Sequence, residues 1–148
     1  MAALSKAQSF KNDRVSARII IESRTLTPEE ISSRLGIPGD ETTRIGEPRG
    51  HAAKLWEVHT WTLLVQKCGR DLGLSAHALL PRCIEELLHR IEPIENALCC
   101  IITSEGGQLA IRVTSSSVPG ITLDPHMIRT LADLGLSLDV DIILISNP

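Results

Sequence analysis

The last quarter of the sequence, residues 124–146, constrains the fold most, because it combines a capped helix, a glycine stop and a strand. Asp124 can accept hydrogen bonds from the free N–H groups of the first helical turn, and Pro125 suits the first helical position. An apolar stripe at helical spacing follows, made of Met127, Ile128, Leu131 and Leu134. Gly135 can adopt the left-handed conformation that ends a helix, and the chain then turns directly into a predicted strand.

The composition is that of one globular domain. A chain of 148 residues with 43% hydrophobic and 22% charged residues can bury a core of its own. We expect a flexible lead-in over residues 1–13 and a single α+β domain over residues 14–148. Aromatic residues make up only 2% and the net charge is -3. Both values argue against nucleic-acid binding, which needs exposed aromatic rings or an excess of Lys and Arg.

The sequence also favours a cytoplasmic location. Residues 1–14 lack the continuous apolar core of a secretory signal, and the apolar runs are shorter than the roughly 20 residues that span a bilayer. The four cysteines form no Cys-x-x-Cys pair, which favours free thiols in a reducing compartment. We therefore expect a cytoplasmic protein that has no membrane partner.

Hydrophobic periodicity predicts the remaining elements. Strands are predicted at 14–23, 55–65, 97–104 and 108–115, and helices at 26–36 and 75–91. In the first helix, Thr27 and Glu30 suit a capping box at its start, and Gly36 can end it. The glycines at 106 and 107 indicate a hairpin between the two middle strands, and residues 37–54 read as a long loop. The resulting order is β-α-β-α-β-β-α-β. It favours an α+β fold, with a mostly antiparallel sheet of about five strands and helices packed on one face.

Several motifs, taken in order, resemble one family. They are Leu-Thr-Pro-Glu-Glu-Ile-x-x-x-Leu-Gly-Ile at 26–37, Arg-Ile-Gly-Glu at 44–47, Trp56 with Thr60, Leu-Leu-His-Arg-Ile-Glu-Pro at 87–93 and Leu-Ala-Asp-Leu-Gly-Leu-Ser-Leu-Asp-Val-Asp-Ile at 131–142. Together they resemble the bacterial family catalogued as domain of unknown function 4279. That family has no established catalytic residues, so the resemblance implies none here. Analogy with small cytosolic bacterial families suggests an immunity protein that neutralises a partner toxin.

The sequence contains no motif that predicts catalysis or a cofactor. The five histidines lack ligand spacing, and a solvated strand face explains Asp139 and Asp141 as well as a cation site does. Cys99 and Cys100 lie in a predicted apolar strand, where a thiol usually packs as a small core residue. Glycine-rich phosphate-binding motifs are missing from the sequence. We expect no metal, no cofactor and no catalytic residue, and we favour a protein that is not an enzyme.

The densest group of candidate binding residues lies within residues 44–61. It contains both tryptophans, two histidines and several charges, and Trp and Arg are favoured at binding hot spots. The predicted binding surface consists of Arg44, Glu47, Arg49, His51, Trp56, His59 and Trp61. His59 and Trp61 share one face of their predicted strand. The competing interpretation is that both tryptophans belong to the core.

Three hypotheses about function follow. The first is a non-enzymatic binding protein of the bacterial cytosol, of the toxin-neutralising immunity type, whose acidic charge suits a basic partner such as a nuclease. The alternative is a small ligand-binding module or enzyme with a pocket near His51, His59 and Trp61. In the third, the open edge of the sheet pairs with a second copy to form a homodimer.

Overall fold

The computed structural model describes residues 10–51 and 53–146 and shows one sheet with helices on one side. The strands are β1 (Arg14–Ser23), β2 (Glu41–Thr43), β3 (His59–Cys68), β4 (Gln108–Ser115) and β5 (Ser137–Leu144). The helices are α1 (Pro28–Leu35), α2 (Gly69–Leu72), α3 (Ala76–Ile91), α4 (Glu95–Glu105) and α5 (Pro125–Asp133), with a 3-10 turn (Glu92–Ile94) between α3 and α4. The predicted α+β class and five-stranded sheet are confirmed.

The sheet has the strand order β2-β3-β1-β4-β5, so the first strand of the chain lies at its centre. β1 pairs antiparallel with β3 and with β4, and β2 pairs antiparallel with β3. β4 and β5 are parallel, because α5 carries the chain back across the sheet between them. The sheet is therefore mixed: it is mostly antiparallel, as predicted, with one parallel pair at the β5 edge.

The core lies between the helices and one face of the sheet. On β1, alternate residues from Val15 to Ile21 are fully buried, and their partners in the register share that face. The partners include Trp61, Leu63 and Val65 on β3 and Leu109, Ile111 and Val113 on β4. α3 packs its apolar side against them with Leu80, Cys83, Ile84 and Leu87. The opposite face of the sheet has no helix packed on it within the described residues.

Two helices begin and end where the sequence predicts. Thr27 and Glu30 form a reciprocal capping box at the start of α1, and Gly36 ends that helix with φ +74°. The carboxylate of Asp124 accepts a 2.9 Å hydrogen bond from the Met127 N–H at the start of α5. Gly135, with φ +72°, terminates α5, and the Leu136 N–H then donates to the Leu131 carbonyl at 3.0 Å.

Four predicted features differ from the structure. Residues 97–104 were predicted as a strand but belong to α4, whose buried Leu98, Ile101 and Ile102 recur at helical spacing. The predicted hairpin turn is the end of this helix, where the Gly106 N–H donates to the Ile102 carbonyl at 2.7 Å. In addition, β2 forms inside the predicted loop, and the strand predicted from residue 55 starts at His59. The element order departs from the prediction at these points.

Residue Asp13 joins the start of the chain to the core. Residues 1–9 of the predicted lead-in lie outside the described residues, but Asp13 is buried. Its carbonyl accepts a hydrogen bond from the Gly69 N–H at 2.8 Å, and its carboxylate accepts one from the Ala76 N–H at 2.8 Å. Ser75, at the N-cap of α3, makes no side-chain cap bond. Asp13 supplies the cap instead, from a distant point in the sequence.

Candidate functional site

The loop that carries the predicted binding residues is a narrow hairpin. The Gly46 N–H donates to the Trp56 carbonyl, and the Trp56 N–H donates to the Glu47 carbonyl, both at 2.9 Å. Farther out, the Arg49 N–H donates to the Lys54 carbonyl at 2.8 Å. These backbone bonds hold the two sides of the loop together, so its side chains have defined positions.

Arg44, Glu47 and His59 meet at the base of this hairpin. The Arg44 guanidinium contacts Glu47 at 3.3 Å and also pairs with Glu29 on α1, and these two carboxylates raise the pKa of Arg44. The Arg44 backbone N–H, followed by its guanidinium, lowers the pKa of Glu47. His59 Nδ1 accepts a 3.3 Å hydrogen bond from the Ile45 N–H. These contacts hold the hairpin against α1 and β3, so the three side chains have a structural role.

The two tryptophans occupy different environments. Trp56 is half-buried, and the Arg49 guanidinium stacks over its ring with 4.7 Å to the ring centroid. Trp61 is fully buried, and its indole N–H donates to the Ser32 hydroxyl at 3.1 Å. A ligand therefore has no access to Trp61, whereas the Arg49–Trp56 pair remains at the surface.

His51 lies exposed in the outer part of the hairpin. Five of the seven predicted binding residues lie near one another in the hairpin. Arg44, Glu47 and His59 form one group, and Arg49 and Trp56 form a second. His51 and Trp61 belong to neither group. None of the seven lines any of the five cavities described among residues 10–146. The structure therefore does not bring His51, His59 and Trp61 together around one pocket.

A surface that the sequence analysis did not single out lies on β5, at the edge of the sheet. Its alternate side chains on the helix side, Leu138, Val140, Ile142 and Leu144, are 37–58% exposed. α5 buries Met127 and Leu131 but leaves these four side chains uncovered. The alternation along β5 predicts an apolar face, but only the packing of α5 shows that this face is open.

The backbone of the same four residues also faces outward. The Ser137 N–H donates to the Gly107 carbonyl and the Ile145 N–H donates to the Ser115 carbonyl, so odd-numbered residues point toward β4. The register of β5 with β4 is continuous from Ser137 to Leu144, and consecutive residues of a strand direct their N–H groups to opposite sides. Leu138, Val140, Ile142 and Leu144 therefore present their N–H and C=O groups to the open edge. We call these four residues the β5 edge.

The other edge of the sheet is protected. β2 covers β3 for only three residues, and beyond it Leu64 has no strand partner on the side of β3 that faces away from β1. There the Leu64 N–H donates to the Asp40 carboxylate at 2.7 Å, and its carbonyl accepts from Arg90 at 2.7 Å. Arg90 and Asp40 also pair with each other through two contacts, at 2.9 and 3.1 Å. Side chains thus occupy the strand-pairing groups at this edge, a common protection against edge-to-edge association.

The described residues contain no group of three His, Cys, Asp or Glu side chains that could hold a metal ion. Asp141 pairs with Arg112 at 3.0 Å. All four cysteines are free thiols; Cys99 and Cys100 lie on α4, not on the predicted strand. Burial raises the pKa of Cys83 to about 11, which keeps this thiol protonated and unreactive. Within the residues that the structure describes, no helix is long and apolar enough to cross a membrane.

Comparison with known proteins identifies one family. Its model, described as "Domain of unknown function (DUF4279)", matches residues 13–144. That span begins at the buried Asp13 and includes all five strands. No curated protein and no solved structure matches the chain.

Proposed function

This chain belongs to the family of the domain of unknown function (DUF4279), whose name assigns no activity. We propose that the protein is a non-enzymatic protein-binding domain. The β5 edge binds an extended segment of a partner protein, which adds a strand to the sheet. In this mode, backbone hydrogen bonds supply affinity and alternate side chains supply specificity.

The observation that carries this proposal is the contrast between the two edges of the sheet. Asp40 and Arg90 occupy the outward backbone groups of Leu64 on β3, whereas no side chain within the described residues bonds the outward groups of the β5 edge. Of the ten large apolar side chains exposed in that part of the chain, five lie on β5. An exposed, apolar, eight-residue edge strand is prone to aggregation unless a partner covers it.

Charge indicates which kind of segment fits. Asp139 and Asp141 lie on β5, and residues 137–146 contain no Lys or Arg. A strand that alternates apolar and basic residues would cover the apolar side chains and face these carboxylates. The net charge of -3 would also steer a basic partner toward this protein. A basic toxin of the bacterial cytosol, such as a nuclease, has this chemistry, and its neutralisation is the biological role that we propose.

Self-pairing of β5 is unfavourable in two of its central registers. In an antiparallel homodimer centred on Val140, Asp139 of one copy would lie opposite Asp141 of the other. If the dimer axis passed through Asp141, the two Asp141 residues would face each other. Like charges directly opposite one another destabilise a strand pair. We therefore favour a different protein over a second copy as the partner.

The alternative of a ligand pocket near His51, His59 and Trp61 has less support, because Trp61 is buried with its indole N–H bonded to Ser32. The Arg49–Trp56 pair remains available as a secondary contact for a protein partner.

The test uses two variants of Val140 and a synthetic octapeptide that alternates lysine and valine. Val140→Pro removes one outward N–H without breaking a bond to β4, and proline is tolerated on the solvent side of an edge strand. Val140→Lys places a positive charge on the edge. The matched control is Val118→Lys, because Val118 is an exposed valine outside the sheet.

We expect the wild type and Val118→Lys to bind the lysine–valine peptide, and both Val140 variants to bind it at least about tenfold more weakly. Val140→Pro loses one hydrogen bond of about 1 kcal/mol together with the apolar contact of the valine, and Val140→Lys loses that contact and repels the lysines of the peptide. Equal binding of a glutamate–valine peptide would refute the charge argument. Equal binding by all four proteins would refute the site. A wild-type dimer in sedimentation that Val140→Lys dissociates would make a second copy the partner instead.

A further inference from the structure

A second surface lies on the face of the sheet opposite the helices. On this face β1 presents Arg14, Ser16 and Arg18, which alternate with the buried core residues. The register of β1 with β4 places Arg112 directly opposite Ser16. Ser16 therefore lies at the centre of three arginines, since Arg14 and Arg18 are its next neighbours on the same face of its own strand.

Two adjacent cavities occupy this face, and they differ in charge. The larger, about 380 Å³, shares Ser16, Arg18 and Arg112 with the smaller cavity, but its lining also includes Asp139 and Asp141. The smaller, about 270 Å³, is lined by all three arginines together with Ser16, Gln66 and Thr114, and no carboxylate lines it. We call the smaller cavity the arginine cleft. Its volume suits a small oxyanion rather than a large cofactor.

The Ser16 hydroxyl lacks a partner within the described residues. Ser16 is 7% exposed, and no hydrogen bond joins its side chain to another described residue. The described residues contain no fully buried side-chain oxygen or nitrogen without a hydrogen-bond partner, so the Ser16 hydroxyl is open to solvent. Ser16 lines the arginine cleft, so a ligand in the cleft would take the place of water at this hydroxyl.

The three guanidiniums retain free donors. Arg18 uses Nη1 on Glu41 at 3.3 Å, and Arg112 uses Nε on Asp141 at 3.0 Å. Each guanidinium has five N–H groups, so most of them stay available. Arg14 makes no ion pair with the residues that the structure describes. Glu41 and Asp141 lie on strands to either side of the cleft, where they orient the two arginines without entering it.

From this arrangement we propose that the arginine cleft binds a phosphate monoester, with the Arg14, Arg18 and Arg112 guanidiniums around the phosphate oxygens and the Ser16 hydroxyl beneath them. Three cations that approach from different directions match a tetrahedral dianion better than a planar carboxylate. Arginine pairs with phosphate through two parallel hydrogen bonds, which adds geometric selectivity. This site is separate from the β5 edge, and either can exist without the other.

The experiment titrates phenyl phosphate into the isotope-labelled protein at low ionic strength and follows the backbone and arginine side-chain resonances by NMR. We expect saturable shifts at Ser16 and at the three arginines. Arg112→Gln and Arg14→Gln should each weaken binding by about tenfold, because each removes a charge-assisted contact. The matched control is Arg24→Gln, which changes the net charge equally at an exposed arginine outside the cleft.

Ser16→Ala separates a ligand-binding role of the hydroxyl from a structural one. We expect it to weaken phenyl phosphate binding severalfold while the urea midpoint of the free protein stays unchanged, since the hydroxyl bonds no other described residue. Shifts that never saturate, or that weaken equally in Arg24→Gln and Arg112→Gln, would refute the site. Malonate binding as tight as phenyl phosphate, with the same arginine dependence, would refute the phosphate assignment.

Discussion

Replacement of Asp13 by alanine should destabilise the protein strongly, although Asp13 lies at the very start of the domain. Asp13 is 1% exposed, and its Oδ2 accepts the Ala76 N–H at 2.8 Å. Ala76 is itself only 2% exposed, so water cannot readily replace the lost acceptor. Oδ1 accepts two longer bonds, from the Ser115 hydroxyl at 3.3 Å and the Ser116 N–H at 3.4 Å.

The magnitude follows from these contacts. Loss of a helix cap costs about 1 kcal/mol, and a buried donor left without an acceptor costs about 1–3 kcal/mol. The two longer bonds add a smaller amount, and removal of a buried carboxylate offsets part of the loss. The net expectation is a decrease of about 3 kcal/mol in the free energy of unfolding. For a domain of this size, that decrease lowers the melting temperature by about 10 °C.

The assay is urea unfolding followed by far-UV circular dichroism. Asp13→Asn keeps one acceptor oxygen but turns an amide N–H₂ toward the Ser116 N–H or the Ala76 N–H, so its loss should be intermediate. Asp71→Ala, at an exposed carboxylate of α2, is the matched control and should change stability by less than about 0.5 kcal/mol. If Asp13→Ala behaved like Asp71→Ala, the bond to Ala76 would not stabilise α3 and the reasoning would be wrong.

Two further predictions concern titratable groups. Burial raises the pKa of Cys83 to about 11, so this thiol should react with a thiol reagent at neutral pH only after unfolding. The exposed Cys100 should react in the native state. A rapid reaction phase that survives Cys100→Ser and disappears in Cys83→Ser would contradict the prediction for Cys83. The hydrogen bond from Arg90, with a smaller contribution from the Leu64 N–H, lowers the pKa of Asp40 in the folded state. Its stabilising effect should be present above the unfolded pKa of about 4 and disappear as the pH falls through the lower folded value. At pH 6 the free energy of unfolding of the wild type should exceed that of Asp40→Asn by up to about 1 kcal/mol, because the Asp40–Arg90 pair is partly exposed. The difference should shrink at pH 3. A difference in urea midpoints that stays constant with pH would contradict the argument.

Local signals in the sequence predicted the helix boundaries well. Thr27, Glu30 and Gly36 for α1, and Asp124 and Gly135 for α5, act through hydrogen bonds to residues within a few positions. Such interactions are visible in any window of about ten residues. The alternation along β1 and β4 was equally readable, because a strand with one buried face has a period of two.

The assignment of residues 97–104 failed because a short apolar run does not distinguish a buried helix from a strand. Ala97 to Ile102 contains residues that suit either element. In the structure, the run follows α3 through a 3-10 turn and buries Leu98, Ile101 and Ile102 on one helical face. The partners that favour the helix come from distant parts of the chain.

The sequence predicted only in part which of the seven proposed binding residues lie near one another, because side-chain burial depends on distant segments of the chain. The sequence grouped seven residues by proximity along the chain, and hairpin pairing does hold Arg44, Glu47, Arg49, Trp56 and His59 near one another. Whether a tryptophan is buried depends on what packs against it. Trp61 is buried with Ser32 of α1 at its indole N–H, whereas Trp56 stays near the surface under Arg49.

The class of fold, the caps of α1 and α5, and the apolar alternation along β5 can all be read from the sequence. These properties depend on short-range spacing and on intrinsic conformational preference. The structure was needed to show that β1 lies at the centre, that Asp13 caps α3, that α5 leaves the β5 edge exposed, and that three arginines surround Ser16. Each of these depends on which strands pair and in which register, and the pairing free energy comes from contacts between segments far apart in the chain.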